Sequence, residues 1–212
     1  MSKVEISFTS LLAAMVLASC FGCSKKPSTA EESSPSQAGS GSPVPESSKK
    51  ASSTTPVGAV TVASITLGVK QQSNGLTLVN LNGDGACEVA EVEGVSCHLI
   101  RRQPGQPPSY LYFQLAEGAK LRASEALVMV EYFDATSGEI AVDYDSADEF
   151  SRNPGYTRVP TRVALNNDNR WHKGVFVLRQ PRFQRTQHDG GDFRVALSGQ
   201  QLYVRSVQLM QP

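Results

Sequence analysis

The chain has little of what covalent and metal chemistry usually draws on: four cysteines and three histidines in 212 residues, the histidines scattered at His98, His172 and His188. His98 adjoins Cys97, but neither a Cys-x-x-Cys spacing nor a second histidine accompanies them, so no zinc signature forms there. No HExxH, GxSxG, phosphate-loop or dinucleotide fingerprint occurs, and no nucleophile shows a triad partner, which disfavours an enzyme. The formal net charge is zero, with 20 basic against 20 acidic residues, and that argues against a nucleic-acid partner. No apolar run approaches the ~20 residues that span a bilayer. No long segment repeats apolar residues at a spacing of ~3.6, so helix is scarce.

What is present begins with an address. Ile6 to Leu17 form a short apolar run with Lys3 ahead of it and small residues behind, the pattern of a secretory signal segment. The run ends Leu17-Ala18-Ser19-Cys20, which resembles the lipobox of bacterial lipoproteins. That resemblance implies cleavage before Cys20 and a diacylglycerol on its sulfur. Cys23 competes, but a cysteine rather than an aliphatic residue sits three before it, so Cys20 is preferred. One acyl chain binds a membrane marginally, whereas two or more hold. Phe21 rather than Asp follows, which favours the outer membrane, so the expected location is the cell envelope, on the periplasmic or surface face. A plain cleaved signal is the alternative and leaves Cys20 unexplained.

After the signal peptide, residues 1–19, the segment 20–56 is mostly Ser, Pro, Gly, Ala, Thr, Lys and Glu. It cannot bury enough surface to offset its conformational entropy and is expected to be a disordered tether, reaching about 30 Å as a random coil. Residues 57–212 are the size of one domain with a real core. Their turns come at short spacing, which favours an all-β sandwich or barrel.

Within that domain, Leu127, Met129 and Phe133 alternate with Val128, Val130 and Tyr132, apolar on both faces, as in a central strand. Asp134 to Gly138 supply turn residues. Ile140, Val142 and Tyr144 then resume on one face, with Glu139, Ala141, Asp143 and Asp145 on a wet one, which predicts a hairpin. A second hairpin is predicted across Asn166 to Asn169, between Thr161–Leu165 and Trp171–Leu178. The final strand changes apolar parity between Val204 and Val207, so a bulge near Arg205 or burial on both faces is expected. Cys87 and Cys97, ten apart in an exported protein, predict a disulfide worth roughly 3 kcal/mol. Acids gather from Asp84 to Glu149 and arginines dominate afterwards, a pattern that pairing across neighbouring strands explains.

Several short motifs follow one another in a telling order: GlyLeuThrLeuVal at 75–79, GlyAspGly at 83–85, TyrLeuTyrPhe at 110–113, ValGluTyrPheAsp at 130–134, TyrAspSerAlaAsp at 144–148, Trp171 with ValPheValLeu at 175–178, GlyGlyAspPheArgVal at 190–195 and LeuTyrValArgSerValGlnLeu at 202–209. Their order over most of residues 70–209 resembles galactose-binding-like jelly-roll domains. The resemblance implies a two-sheet antiparallel jelly-roll β-sandwich, often with a structural Ca²⁺, and frequently carbohydrate binding.

The candidate site residues follow. Asp143, Asp145 and Asp148 are hard oxygen donors suited to Ca²⁺, the alternative being an acidic edge facing arginines. Asp143 and Asp145, about 7 Å apart on one strand face, also match an inverting glycosidase pair, as any i, i+2 pair would. Asp189 and Asp192 in a Gly-rich loop are a second Ca²⁺ candidate, or turn formers. Trp171, the single tryptophan, is either a stacking platform for sugar rings or core, and Tyr144, Arg185 and Asp192 complete the candidate ligand-binding set. The first expectation is a lipid-anchored envelope protein whose sandwich binds polysaccharide non-catalytically. A protein-binding adaptor lipoprotein is the second, and a small glycoside hydrolase or lyase the third.

Overall fold

The computed structural model describes residues 58–79, 86–102, 105, 108–119, 121 and 124–212. The expected signal peptide, Cys20, the tether and the turn at 82–85 lie outside the described residues. Among the described residues thirteen strands succeed one another: β1 (Val60–Thr66), β2 (Gln72–Asn74), β3 (Leu76–Val79), β4 (Glu88–Val92), β5 (Val95–Arg101), β6 (Ser109–Leu115), β7 (Glu125–Phe133), β8 (Ser137–Tyr144), β9 (Thr157–Arg158), β10 (Val163–Asn166), β11 (Trp171–Arg179), β12 (Phe193–Leu197) and β13 (Gln201–Gln211). They form two antiparallel sheets. Sheet A has seven strands in the order β11-β7-β13-β1-β2, with β5 also on β13 and β4 beyond it; sheet B has six, β10-β8-β12-β6-β3 with β9 on β8. The all-β, two-sheet antiparallel sandwich expected from the sequence is the architecture observed.

The two-residue period builds the core. Ala126, Val128, Val130 and Tyr132 of β7 face Ile140, Val142 and Tyr144 of β8, and Phe113 stacks on Phe193 with centroids 5.2 Å apart. Each fully buried aliphatic or aromatic side chain contributes about 1.5–3 kcal/mol by leaving water. The outer face of β7 carries a small cluster of Leu127, Met129 and Met210, rimmed by Ala59 and Val175, which explains a strand apolar on both sides.

Neither predicted hairpin forms. β7 lies in sheet A and β8 in sheet B, and the same holds for β11 and β10, so both turns arch from one sheet to the other. Turn residues announce a reversal without saying whether the flanking strands pair, and two strands that each need an opposing apolar layer gain more by facing each other. Gly138 shows how closely these arches pack: at φ +137°, a Cβ on it would stand 2.6 Å from Gly199 Cα in the β12–β13 turn. The expected bulge is present, as a register shift between Val204 and Ser206 against β7. The outer face of β8 is wet only at Glu139, whose side chain is 46% exposed; Ala141 and Asp143 are only 6% and 2% exposed.

The expected disulfide is absent: Cys87 and Cys97 are free. β4 and β5 form a tight hairpin through Glu93 and Gly94, both at positive φ, with Ala90 opposite Cys97 and Glu88 opposite Leu99. Cys87 therefore falls about three residues, roughly 10 Å, along the ladder from the level of Cys97. Such a separation cannot be bridged without moving the backbone.

Candidate functional site

The three aspartates proposed as metal ligands are committed elsewhere. Asp143 accepts hydrogen bonds from Arg158 Nε and Nη2 at 2.6 and 3.0 Å and from Arg194 Nε at 2.9 Å. Arg194 in turn lies 3.6 Å over the Tyr110 ring and 4.5 Å from that of Tyr156, and donates to Tyr112 Oη at 2.9 Å. Asp145, fully buried, accepts from Arg182 at 2.6 Å and from the Gln184 N–H at 2.9 Å. Asp148 takes the Phe150 N–H at 2.9 Å in a local turn. Carboxylates neutralised by guanidinium are poor Ca²⁺ ligands and poor general acids, so the facing-arginine alternative describes Asp143 and Asp145, buried rather than solvated, while Asp148 serves its local turn.

Asp145 and Asp192 converge instead on one loop. Asp192, 1% exposed, accepts the Leu115 and Arg185 N–H groups, each at 2.8 Å, and burial pushes its carboxyl above the usual range despite these bonds. Tyr144 is a core residue whose hydroxyl donates to Arg179 O at 2.8 Å and accepts from Arg179 N at 3.0 Å. Between these anchors Gln180, Phe183 and Arg185 have φ of 49°, 51° and 58°. Non-glycine residues enter that left-handed region at a cost of about 1–2 kcal/mol each, so the contacts on both sides over-determine the loop. It forms one wall of a cleft of about 510 Å³ whose other wall is Leu115 to Ala119 with Leu121. Tyr144, Arg185 and Asp192, separate candidates in the sequence, thus belong to one device, in which Arg185 and Asp192 line the cleft and Asp192 and Tyr144 anchor its loop. Asp189 is exposed at the loop's end beside His188 and away from the Asp192 oxygens' partners.

Trp171 sits elsewhere, at the start of β11 on the outer face of sheet A. Strand register aligns Trp171 with Phe133, Phe133 with Tyr203, and Tyr203 with Leu99 across β11, β7, β13 and β5. The Trp171 and Tyr203 rings stand 5.5 and 6.2 Å from that of Phe133, edge to face. Both flanking rings are partly exposed, although Trp171 Nε1 itself is buried and has no hydrogen-bond acceptor among the described residues. One row further along the strands Lys173 faces Glu131, whose carboxylate accepts from Ser206 Oγ at 2.9 Å and Arg205 at 3.5 Å. Phe133 was missed as a site residue, and nothing in the spacing singled out Tyr203 from Tyr110, Tyr112 and Tyr156 as an alternative stacking ring, because the alignment depends on sheet order, which no local pattern discloses.

A third group gathers at the arches beside Trp171. Asp134, Asp168 and His172 offer ligand atoms within 4.8 Å of one another, an arrangement that could hold a metal ion. Asp134 is buried and accepts from the Asn166 and Asn167 N–H groups at 2.7 and 2.9 Å, while Asp168 lies 2.8 Å from His172 Nε2. That histidine hydrogen bond holds the Asp168 carboxyl below its usual value, whereas burial first, then Asp134 and Asp168, push Tyr132 up to about 12.

Fold and sites together define a two-sheet antiparallel β-sandwich with a loop-walled cleft and, on one face, an aromatic row whose outer two rings are partly exposed around a buried Phe133. No family model matches the chain, and no curated protein does. Among solved structures it is similar to a family 29 carbohydrate-binding module from Piromyces equi (TM-score 0.42, 11% identity, covering 72% of this chain and 91% of that one). It is also similar to the K1 cleaved adhesin domain of Lys-gingipain from Porphyromonas gingivalis W83 (0.40, 12%, 71% and 95%). A third, a non-crystalline cellulose-specific carbohydrate-binding module, scores 0.34 at 14% identity over 64% and 83%. At such scores and identities nothing about this chain's ligand rests on them.

Proposed function

We propose that the chain is a lipid-anchored envelope protein whose sandwich binds carbohydrate non-catalytically on the outer face of sheet A. The observation that carries this reading is the alignment of Trp171, Phe133 and Tyr203 on three adjacent strands. Adjacent strands lie about 4.8 Å apart, so the outer two rings are separated by roughly 10 Å. Their apolar faces suit the apolar faces of successive sugar rings, and Lys173, Glu131 and Ser206 in the next row supply donors and acceptors for hydroxyls. Cys20 supports the anchor. A metal at Asp134, Asp168 and His172 would contribute to holding the arches, and the imidazole favours a transition metal there over the Ca²⁺ expected from the fold resemblance. The test is affinity electrophoresis of the full chain through gels containing neutral polysaccharides. Trp171→Ala and Tyr203→Ala are each expected to weaken retardation about tenfold, as aromatic anchors do at binding sites. Retardation unchanged in both variants would refute the platform, and absence of palmitate label at Cys20 would refute the anchor.

A further inference from the structure

The cleft beside β6 lies apart from the aromatic row, and its charged groups point to a different ligand chemistry. Its volume of about 510 Å³ falls within the ~300–1,000 Å³ of small-molecule sites. The floor is apolar, from Leu115, Ala119, Leu121 and Pro181, and the rim carries Arg182, Arg185 and Glu117. Arg182 turns Nε and Nη2 to the buried Asp145, which fixes its guanidinium plane and leaves Nη1 without a partner among the described residues. Arg185 has its backbone fixed by Asp192, while its side chain reaches Glu117 at 3.2 Å.

Glu117 is the telling residue. Its side chain is 87% exposed, so it is held by little except Arg185, and an exposed pair of this kind is weak. The rim therefore already carries one carboxylate, loosely seated on a guanidinium whose backbone is held by a left-handed turn and a buried acid. A ligand carboxylate arriving with apolar ring surface would displace Glu117 and bury against Phe183 and Leu121, which Glu117 cannot do. Asp145 is not part of the lining and is held by Arg182 and the Gln184 N–H, and Asp192, which does line the cleft, has both oxygens occupied by the Leu115 and Arg185 N–H groups.

We propose that this cleft binds the carboxylate of an acidic sugar, a hexuronic acid residue within a glycan, with Arg185 as the anchoring residue and Glu117 as an internal stand-in for the ligand. The inference rests on the carbohydrate-binding reading but uses a separate site. The experiment titrates the full chain with trigalacturonate and, in parallel, with a neutral oligosaccharide that the aromatic row retains. Glu117→Gln, on an exposed side chain, is expected to bind trigalacturonate roughly threefold to fivefold more tightly, because the competing carboxylate is gone. Arg185→Gln is expected to lose about tenfold or more, with Arg185→Lys between it and the wild type, because the planar fork is lost while the charge is kept. Neutral-glycan binding should be unchanged in all three variants. No trigalacturonate binding, or equal binding by wild type, Glu117→Gln and Arg185→Gln, overturns the cleft proposal while leaving the platform intact if neutral glycan still binds. Trigalacturonate binding sensitive to Arg185 but not to Trp171→Ala supports the cleft even where the platform fails.

Discussion

Replacing Asp143 by Asn tests the packing of sheet B's outer face. The substitution keeps shape and removes one charge from a group 2% exposed that holds two guanidiniums. The two partners are unequal. The Arg194 side chain is 14% exposed and sandwiched between Tyr110 and Tyr156, so its charge, once unpaired, has little access to water. The Arg158 side chain is 43% exposed and can rehydrate, so its share is discounted to under about 1 kcal/mol. Breaking a buried pair costs about 3–5 kcal/mol, and the retained amide carbonyl puts Asp143→Asn near the lower end. At roughly 2–4 °C per kcal/mol for a domain of this size, the melting temperature should fall by about 6–12 °C. Thermal and urea unfolding followed by circular dichroism would read this, with the urea m-value unchanged. Because apolar replacement of a buried pair is often neutral, Asp143→Leu combined with Arg194→Met should recover most of the loss. A shift of less than about 2 °C in Asp143→Asn, or an equal loss in Arg158→Gln, would refute the assignment of Arg194 as the dependent charge.

Two further predictions concern the β4–β5 side of sheet A. Burial lowers the His98 pKa below 6.5, and His98 Nδ1 accepts the Gly68 N–H at 3.0 Å, which requires the unprotonated ring. A group depressed on folding stabilises fully above its unfolded value of about 6.5 and loses that contribution as pH falls through the lower folded value. Melting temperature against pH should thus slope downward on acidification in wild type and flatten in His98→Asn; identical slopes would exclude His98. Burial pushes the Cys97 thiol up to about 11, so at pH 8 it should resist alkylation until the domain unfolds, and reductant should leave the melting temperature unchanged. A fall on reduction would reinstate the disulfide.

The fold was readable where a signal lives on one strand. Alternation in β8 identified its inward face, the two apolar faces of β7 marked it as a central strand, and the parity change beyond Val204 located the bulge because a single chain must reset its own register there. The charge asymmetry was readable too. Seven ion pairs join acids between Glu117 and Asp145 to arginines between Arg158 and Arg205. What the sequence hid is everything decided by which strand lies beside which. Asp134-Ala-Thr-Ser carries the same turn chemistry whether it closes a hairpin or an arch, and only the need of two apolar faces to meet chooses the arch.

The same blindness governed the sites. Asp143 and Asp145 drew notice as an acidic pair on one face, but sheet order brings Arg194 from β12 and Arg158 from β9 onto the first, and the loop after β11 brings Arg182 onto the second. A carboxylate's meaning depends on what crosses to meet it, and across a sandwich those partners are remote in sequence, 51 positions away for Arg194. Asp192 was picked for its place in a Gly-rich loop, and Arg185 as a member of the candidate ligand-binding set. Their relation, a buried acid fixing the backbone of the arginine that lines a cleft, became legible once β6 was beside β12 and Leu115 could share the same carboxylate. Aromatic alignment is the extreme case: Trp171, Phe133 and Tyr203 come from three separated segments, and a one-residue slip in either ladder would turn a ring to the opposite face. The β13 bulge puts Tyr203 on the outer face while Val207 and Leu209 beyond it still point inward, so the feature that keeps the core continuous is also the one that completes the row.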